Sequence, residues 1–96
     1  MTLPAIALHR RFFALADPTR LRILELLSQA GTLTVSEVCS HFAVSRFAVM
    51  KHLNVLEECG LITREAAGRE RRVALAHDWR EALVDWLRAL RLPRPR

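Results

Sequence analysis

Lysine is almost missing from this chain, with Lys51 alone against fourteen arginines, and tyrosine is absent altogether. Cysteine occurs twice and glycine three times. Cys39 and Cys59 are too few for a disulfide framework and lack CxxC spacing, which excludes a cystine-stapled scaffold and a zinc knuckle. Gly31, Gly60 and Gly68 are too scattered for a Gly-rich phosphate loop or a GxSxG elbow, and no HExxH occurs. With no catalytic constellation in view, an enzyme is not expected. The apolar runs fall far short of the ~20 residues of a membrane span, and the amino terminus lacks the basic-then-apolar order of a signal peptide. The expectation is a soluble cytoplasmic protein with no membrane partner.

What is present points to one packed unit. The 96 residues suffice for a single domain, and 51% hydrophobic with 26% charged residues is the balance of a folded chain. So short a chain buries a modest fraction of its surface, so helices shared across a homodimer would add core. Fifteen basic against ten acidic residues give a net charge of +5, which favours a polyanionic partner without separating DNA, RNA and anionic membrane. Arginine suits bidentate phosphate and guanine contacts, although a coding bias would produce the same skew.

Residues 5–16 carry Ile6, Leu8, Phe12, Phe13 and Leu15 at helical spacing. Asp17-Pro18 ends this helix and starts another, Asp as cap and Pro at the first position. The second runs to about Ala30, buries Leu21, Leu24 and Leu27, and stops at Gly31. Thr34-Val35-Ser36-Glu37 has the form of a capping box. It opens a third helix of about two turns, with Val35, Val38, Cys39 and Phe42 on one face. Ser45 caps a fourth from Arg46 to about Cys59, with Val49, Leu53 and Leu56 inward and Gly60 as its stop. Residues 34–59 thus read as a helix-turn-helix, a spacing that non-binding helical hairpins also show.

Two β-prone runs, Leu61–Glu65 and Arg71–Leu75, follow around Gly68 and form a two-stranded wing over residues 61–76. Arg64, Arg69, Arg71 and Arg72 place four guanidinium groups on or near it, for phosphates or for cross-strand ion pairs with Glu65 and Glu70. A last helix over residues 77–91 carries Trp79, Leu83, Trp86, Leu87 and Leu90 as a dense apolar stripe. We expect this stripe to pair with Ile6, Phe12 and Phe13 of the first helix across a twofold axis; the alternative is that it covers its own domain. Residues 92–96, with two prolines, read as a disordered basic tail. The fold class is mainly α, a winged helix-turn-helix with terminal dimerisation helices.

The runs Ala16-Asp17-Pro18-Thr19-Arg20, Ser45-Arg46-Phe47-Ala48-Val49-Met50-Lys51-His52-Leu53 and Val55-Leu56-Glu57-Glu58-Cys59-Gly60-Leu61 resemble the ArsR/SmtB family of bacterial winged-helix repressors. The resemblance implies a homodimer that binds double-stranded DNA at an inverted-repeat operator and releases it when an effector arrives. It puts Ser45, Arg46, Ala48, Lys51 and His52 on the exposed side of the recognition helix. Arg46 and Lys51 suit phosphates or guanine edges, and His52 can donate to a phosphate. The chain departs from the family at Phe47, where proline is common, and at Met50, where serine is common.

Metal-responsive members carry a Cys-x-Cys pair in the third helix, where this chain has Thr34 and Ser36. Others bind metal along the last helix, where here His77 and Asp78 come first and no histidine follows. No metal or cofactor is therefore expected, and no motif marks an effector. Two rival readings remain, a winged-helix module for protein interaction and a repressor switched through Cys39 or Cys59.

Overall fold

The computed structural model describes residues 5–93 and Pro95, with side chains from Leu8 onward. The side chain of Ile6, expected at the dimer interface, and Arg94 and Arg96 of the expected tail lie outside the described residues. Eight elements follow in order: α1 (Ala5–Leu15), α2 (Pro18–Ala30), β1 (Thr32–Thr34), α3 (Val35–Cys39), α4 (Arg46–Glu58), β2 (Ile62–Ala67), β3 (Glu70–Leu75) and α5 (Glu81–Ala89).

The helix ends follow local chemistry. The Asp17 carboxylate accepts from the Arg20 amide at 3.0 Å, and Pro18, with no amide to lose, begins α2. At the start of α3 the box is closed in both directions, Glu37 N–H to Thr34 Oγ1 at 3.1 Å and Thr34 N–H to Glu37 Oε1 at 2.8 Å. Ser45 Oγ accepts from the Ala48 amide to cap α4. Beyond α4, Gly60 has φ 78°, a conformation that calls for glycine, and a Cβ there would lie 3.2 Å from Arg11 Nη2.

Inward positions of every layer meet in one core. Ile23 and Leu27 of α2, Val38 of α3, Val49, Leu53 and Leu56 of α4, Leu61 and Val73 are each at most 1% exposed. Leu83 of α5 closes the same cluster at 5%. Phe12 packs edge-on to Trp86, centroids 5.4 Å apart, and Arg11 Nη1 donates to the Trp79 carbonyl at 3.2 Å, so α1 holds α5.

The architecture is the expected winged helix-turn-helix, with several corrections. The sheet has three strands in the order β1-β3-β2, all antiparallel, where a two-stranded wing was expected. β1 pairs Thr32 with Ala74, Leu33 with Val73 and Thr34 with Arg72. The wing strands run further than expected and meet at a two-residue turn, Gly68-Arg69, with the glycine first at φ 65° as a type II′ hairpin requires. α3 stops at Cys39, short of Phe42, where Ser40 Oγ bonds back to the Glu37 carbonyl at 2.6 Å. α5 starts at Glu81 instead of His77 because Trp79 sits in a turn, its amide on the Ala76 carbonyl and its carbonyl turned to Arg11. Leu21, expected inside, is 45% exposed and lines an open groove of about 590 Å³ with Leu15, Leu24 and Trp79. Leu83, expected at the dimer interface, belongs to the chain's own core.

Candidate nucleic-acid interface

Helical geometry sorts α4 into two sides. Val49, Leu53 and Leu56 face the core, so the opposite stripe, at i, i+4, i+7 and i+11, is Phe47, Lys51, Asn54 and Glu58, all exposed. Lys51 Nζ lies 4.8 Å from the centroid of the Phe47 ring, a cation–π contact on the surface. Arg46, at the head of the helix, donates to Ser36 Oγ at 3.2 Å and so spans the turn between α3 and α4. Of the positions expected on the exposed side, Ser45, Arg46 and Lys51 are exposed, whereas Ala48 and His52 are half-buried at its edge.

The wing meets the helix-turn-helix at a cleft of about 160 Å³ lined by Ser36, Arg46, Met50, Arg69, Glu70 and Arg71, with Thr34 and Val35 behind. Three arginines, one from α4 and two from the wing, thus line one hollow, with a single acidic residue, Glu70, beside them. Such a hollow is suited to a phosphodiester, since arginine donates in a planar fork to phosphate oxygens. Met50 is half-buried and packs on the core, which explains a hydrophobic residue at this position of α4. Arg72, on β3, is exposed and donates to Thr32 Oγ1 at 3.2 Å, which ties β1 to the wing.

Arg64, expected either at DNA or in an ion pair, is engaged within the chain. It donates through Nη2 to Glu57 Oε1 at 2.6 Å and to Asn54 Oδ1 at 2.7 Å, and its side chain is only 9% exposed. It is a strut between β2 and the carboxy-terminal half of α4. Its hydrogen bond holds the Glu57 carboxyl below the usual carboxylate range, against the burial that would raise it. Arg64 Nε is buried without a hydrogen-bond partner among the described residues, which further marks the guanidinium as an internal piece.

His52 also has an internal role that its sequence position did not reveal. Arg20 is buried, and its Nε and Nη2 donate to the Ala14 and Phe13 carbonyls at 2.7 and 3.3 Å, the second shared with the Ala16 amide, so it caps the last turn of α1. Its Nη1 lies 3.1 Å from His52 Nδ1. Arginine can only donate, so this nitrogen accepts, and the neutral ring carries its proton on Nε2. Asp17 Oδ2 is 3.8 Å from the same Nδ1, beyond hydrogen-bonding distance; its carboxyl is held low first by the Arg20 amide. The Ala16–Arg20 run is thus the joint of three helices: Asp17 caps α2, Arg20 caps α1, and the same guanidinium fixes the ring of His52 on α4.

The fold has known counterparts. The model for the bacterial regulatory proteins of the arsR family matches residues 17–64, half of the chain. The chain belongs to the arsR family. The crystal structure of an ArsR family transcriptional regulator, RHA00566, superposes with a TM-score of 0.82 at 38% identity, covering 92% of this chain and 90% of that one. The solution structure of the homodimeric winged helix-turn-helix DNA-binding domain Mb0332 from Mycobacterium bovis, a possible ArsR-family transcriptional regulator, matches at TM-score 0.74 and 26% identity, covering 88% and 80%. The transcriptional repressor SdpR of Bacillus subtilis strain 168 is 36% identical over 58 residues, 60% of this chain and 63% of SdpR, so the chain spans less than two thirds of that relative's length.

As an arsR-family chain, it carries a second surface of a different chemistry. Phe13 on α1, Trp86 and Leu87 on α5 and Leu90 just past its end are 61, 43, 53 and 57% exposed. Phe12 and Trp79 are half-buried against the core, and Phe12 packs edge-on to Trp86 of this surface. Cys59 is buried and Cys39 half-buried. Among the described residues no helix is long and apolar enough to cross a membrane.

Proposed function

We propose that this arsR-family chain is a homodimeric transcriptional repressor that acts in the cytoplasm and binds an inverted-repeat operator in double-stranded DNA. The observation that carries the reading is the convergence of Arg46, Arg69 and Arg71 on one cleft between α4 and the wing, with Lys51 on the outward stripe alongside. In this reading α4 enters the major groove, and the cleft takes the backbone beside it. Ser45 lies at the groove edge, Ala48 and His52 flank the stripe, and His52 donates from Nε2 to a phosphate with Arg20 orienting the ring. Arg72 stands at the outer margin of the wing. The exposed apolar side chains of α1 and α5 pair with those of a second copy, which removes from water a surface too apolar to be left bare.

The test is fluorescence anisotropy of the purified protein on its own upstream DNA and on scrambled DNA of equal length, across a salt series. A preference of about a hundredfold, ~2.7 kcal/mol, is expected for the upstream DNA. Arg46→Ala should weaken binding and flatten the log–log salt slope by about one unit with helix content unchanged. Parent-like binding by that variant would sink the assignment of the cleft.

A further inference from the structure

The least expected feature of the outward stripe is its hydrophobic end. Phe47, the second residue of α4, is 69% exposed, and Val44, just ahead of the helix, is 51% exposed. Neither belongs to the core: Val49, two residues further on the inner side, is fully buried, whereas Phe47 sits on the opposite face. Arg46 precedes it in the chain and the Lys51 ammonium lies 4.8 Å from the centroid of its ring, so this apolar point carries positive charge on both sides along the helix, a setting that favours a polyanion over an apolar protein partner. The Lys51 ammonium over the ring restricts its position while keeping the charge at the groove.

A phenyl ring has no hydrogen-bonding group, so it can contact neither phosphate oxygens nor the donor and acceptor edges of bases to advantage. The one apolar group that a base pair offers in the major groove is the methyl on C5 of a pyrimidine, present in thymine and in 5-methylcytosine. We propose that Phe47 reads a pyrimidine C5-methyl group in the major groove and thereby sets part of the operator sequence. This rests on the DNA-binding reading above and adds what that reading lacks, a base-specific contact from a residue at which this chain departs from its family.

The experiment starts by enriching a duplex from a random pool on the intact protein. The enriched duplex is then prepared with thymine, with deoxyuridine in its place, and with 5-methylcytosine for cytosine, and anisotropy titrations compare wild type with Phe47→Ala. One buried methyl is ~0.8 kcal/mol, so wild type should lose about fourfold in affinity per half-site on deoxyuridine if thymine is the source. If methylated cytosine is the source, it should gain by a similar factor on the 5-methylcytosine duplex. In either case Phe47→Ala should bind the methylated and unmethylated forms alike. Wild type indifferent to both replacements, or a variant that keeps the discrimination, overturns this inference and leaves the DNA-binding reading standing. A pool that yields no enriched sequence overturns both. The side chain is exposed, so unfolding of the variant is not expected; a circular-dichroism melt that matches wild type verifies it.

Discussion

The two halves of α4 differ in what holds their outward side chains. In the amino-terminal half, Arg46 reaches an exposed serine and Lys51 rests on an exposed phenylalanine, contacts that water and salt can replace at little cost. In the carboxy-terminal half, Asn54 and Glu57 are both bound by one arginine of β2 at 2.7 and 2.6 Å, with that arginine almost out of solvent. One helix is therefore a free surface at one end and a structural joint at the other. Positive charge alone does not tell the two apart: Arg46 and Arg64 carry the same side chain, and only the second is held almost out of solvent by two partners within the chain.

The contrast can be broken or sharpened by substitution. Leu53→Ala, at a fully buried position shared by both halves, should cost ~2–5 kcal/mol in urea denaturation because it combines lost burial with a cavity. A smaller loss would mean that the core relaxes around the gap. Arg64→Ala should cost ~1–2 kcal/mol and raise amide exchange between α4 and β2, with the salt slope of DNA binding unchanged. A slope that falls by a unit would return Arg64 to the interface. Ser45→Ala should cost ~1 kcal/mol through the lost cap on the Ala48 amide, read as a lowered melting temperature.

The joint should also respond to acid. Glu57 has a folded-state pKa below its unfolded one, so its contribution is complete above the ordinary carboxylate range and disappears as pH falls through the folded value. Between about pH 5 and pH 3, wild type should lose a few tenths of a kcal/mol more than Glu57→Gln, a small difference because Glu57 is partly solvated. Equal losses in paired urea titrations would show that the ion pair adds nothing. Smallest of all, Lys51→Ala should shift stability by less than ~0.5 kcal/mol, since both members of its contact are exposed. A larger shift in thermal melting would mean that the amino-terminal half is not a free surface.

Local signals carried much of the fold. Asp17-Pro18, Thr34 with Glu37, Ser45, Gly31 and Gly60 act within a few residues of themselves, so they mark helix ends wherever the chain later folds. The inward stripe of α4 is legible for the same reason, because Val49, Leu53 and Leu56 repeat at the helical period. β1 escaped because three residues are too few to show alternation, although β-branched Thr32 and Thr34 around Leu33 were the available sign. The start of α5 was misplaced because Trp79 continues the apolar period, and only its contact with Arg11, 68 residues away, draws it into a turn.

The site divides along the same line. Sequence by itself determined a small, basic, helix-rich domain with a helix-turn-helix, a wing and family motifs, since capping, periodicity and net charge are properties of short windows or of the whole composition. Tertiary structure alone decided which basic residues are available, that Arg46 meets Arg69 and Arg71 at one cleft while Arg64 is consumed inside. It alone joined Arg20 to His52 across 32 residues and left Phe47 bare. These are pairings between side chains distant in the chain, and their energies depend on distance and burial after folding, which no local pattern encodes.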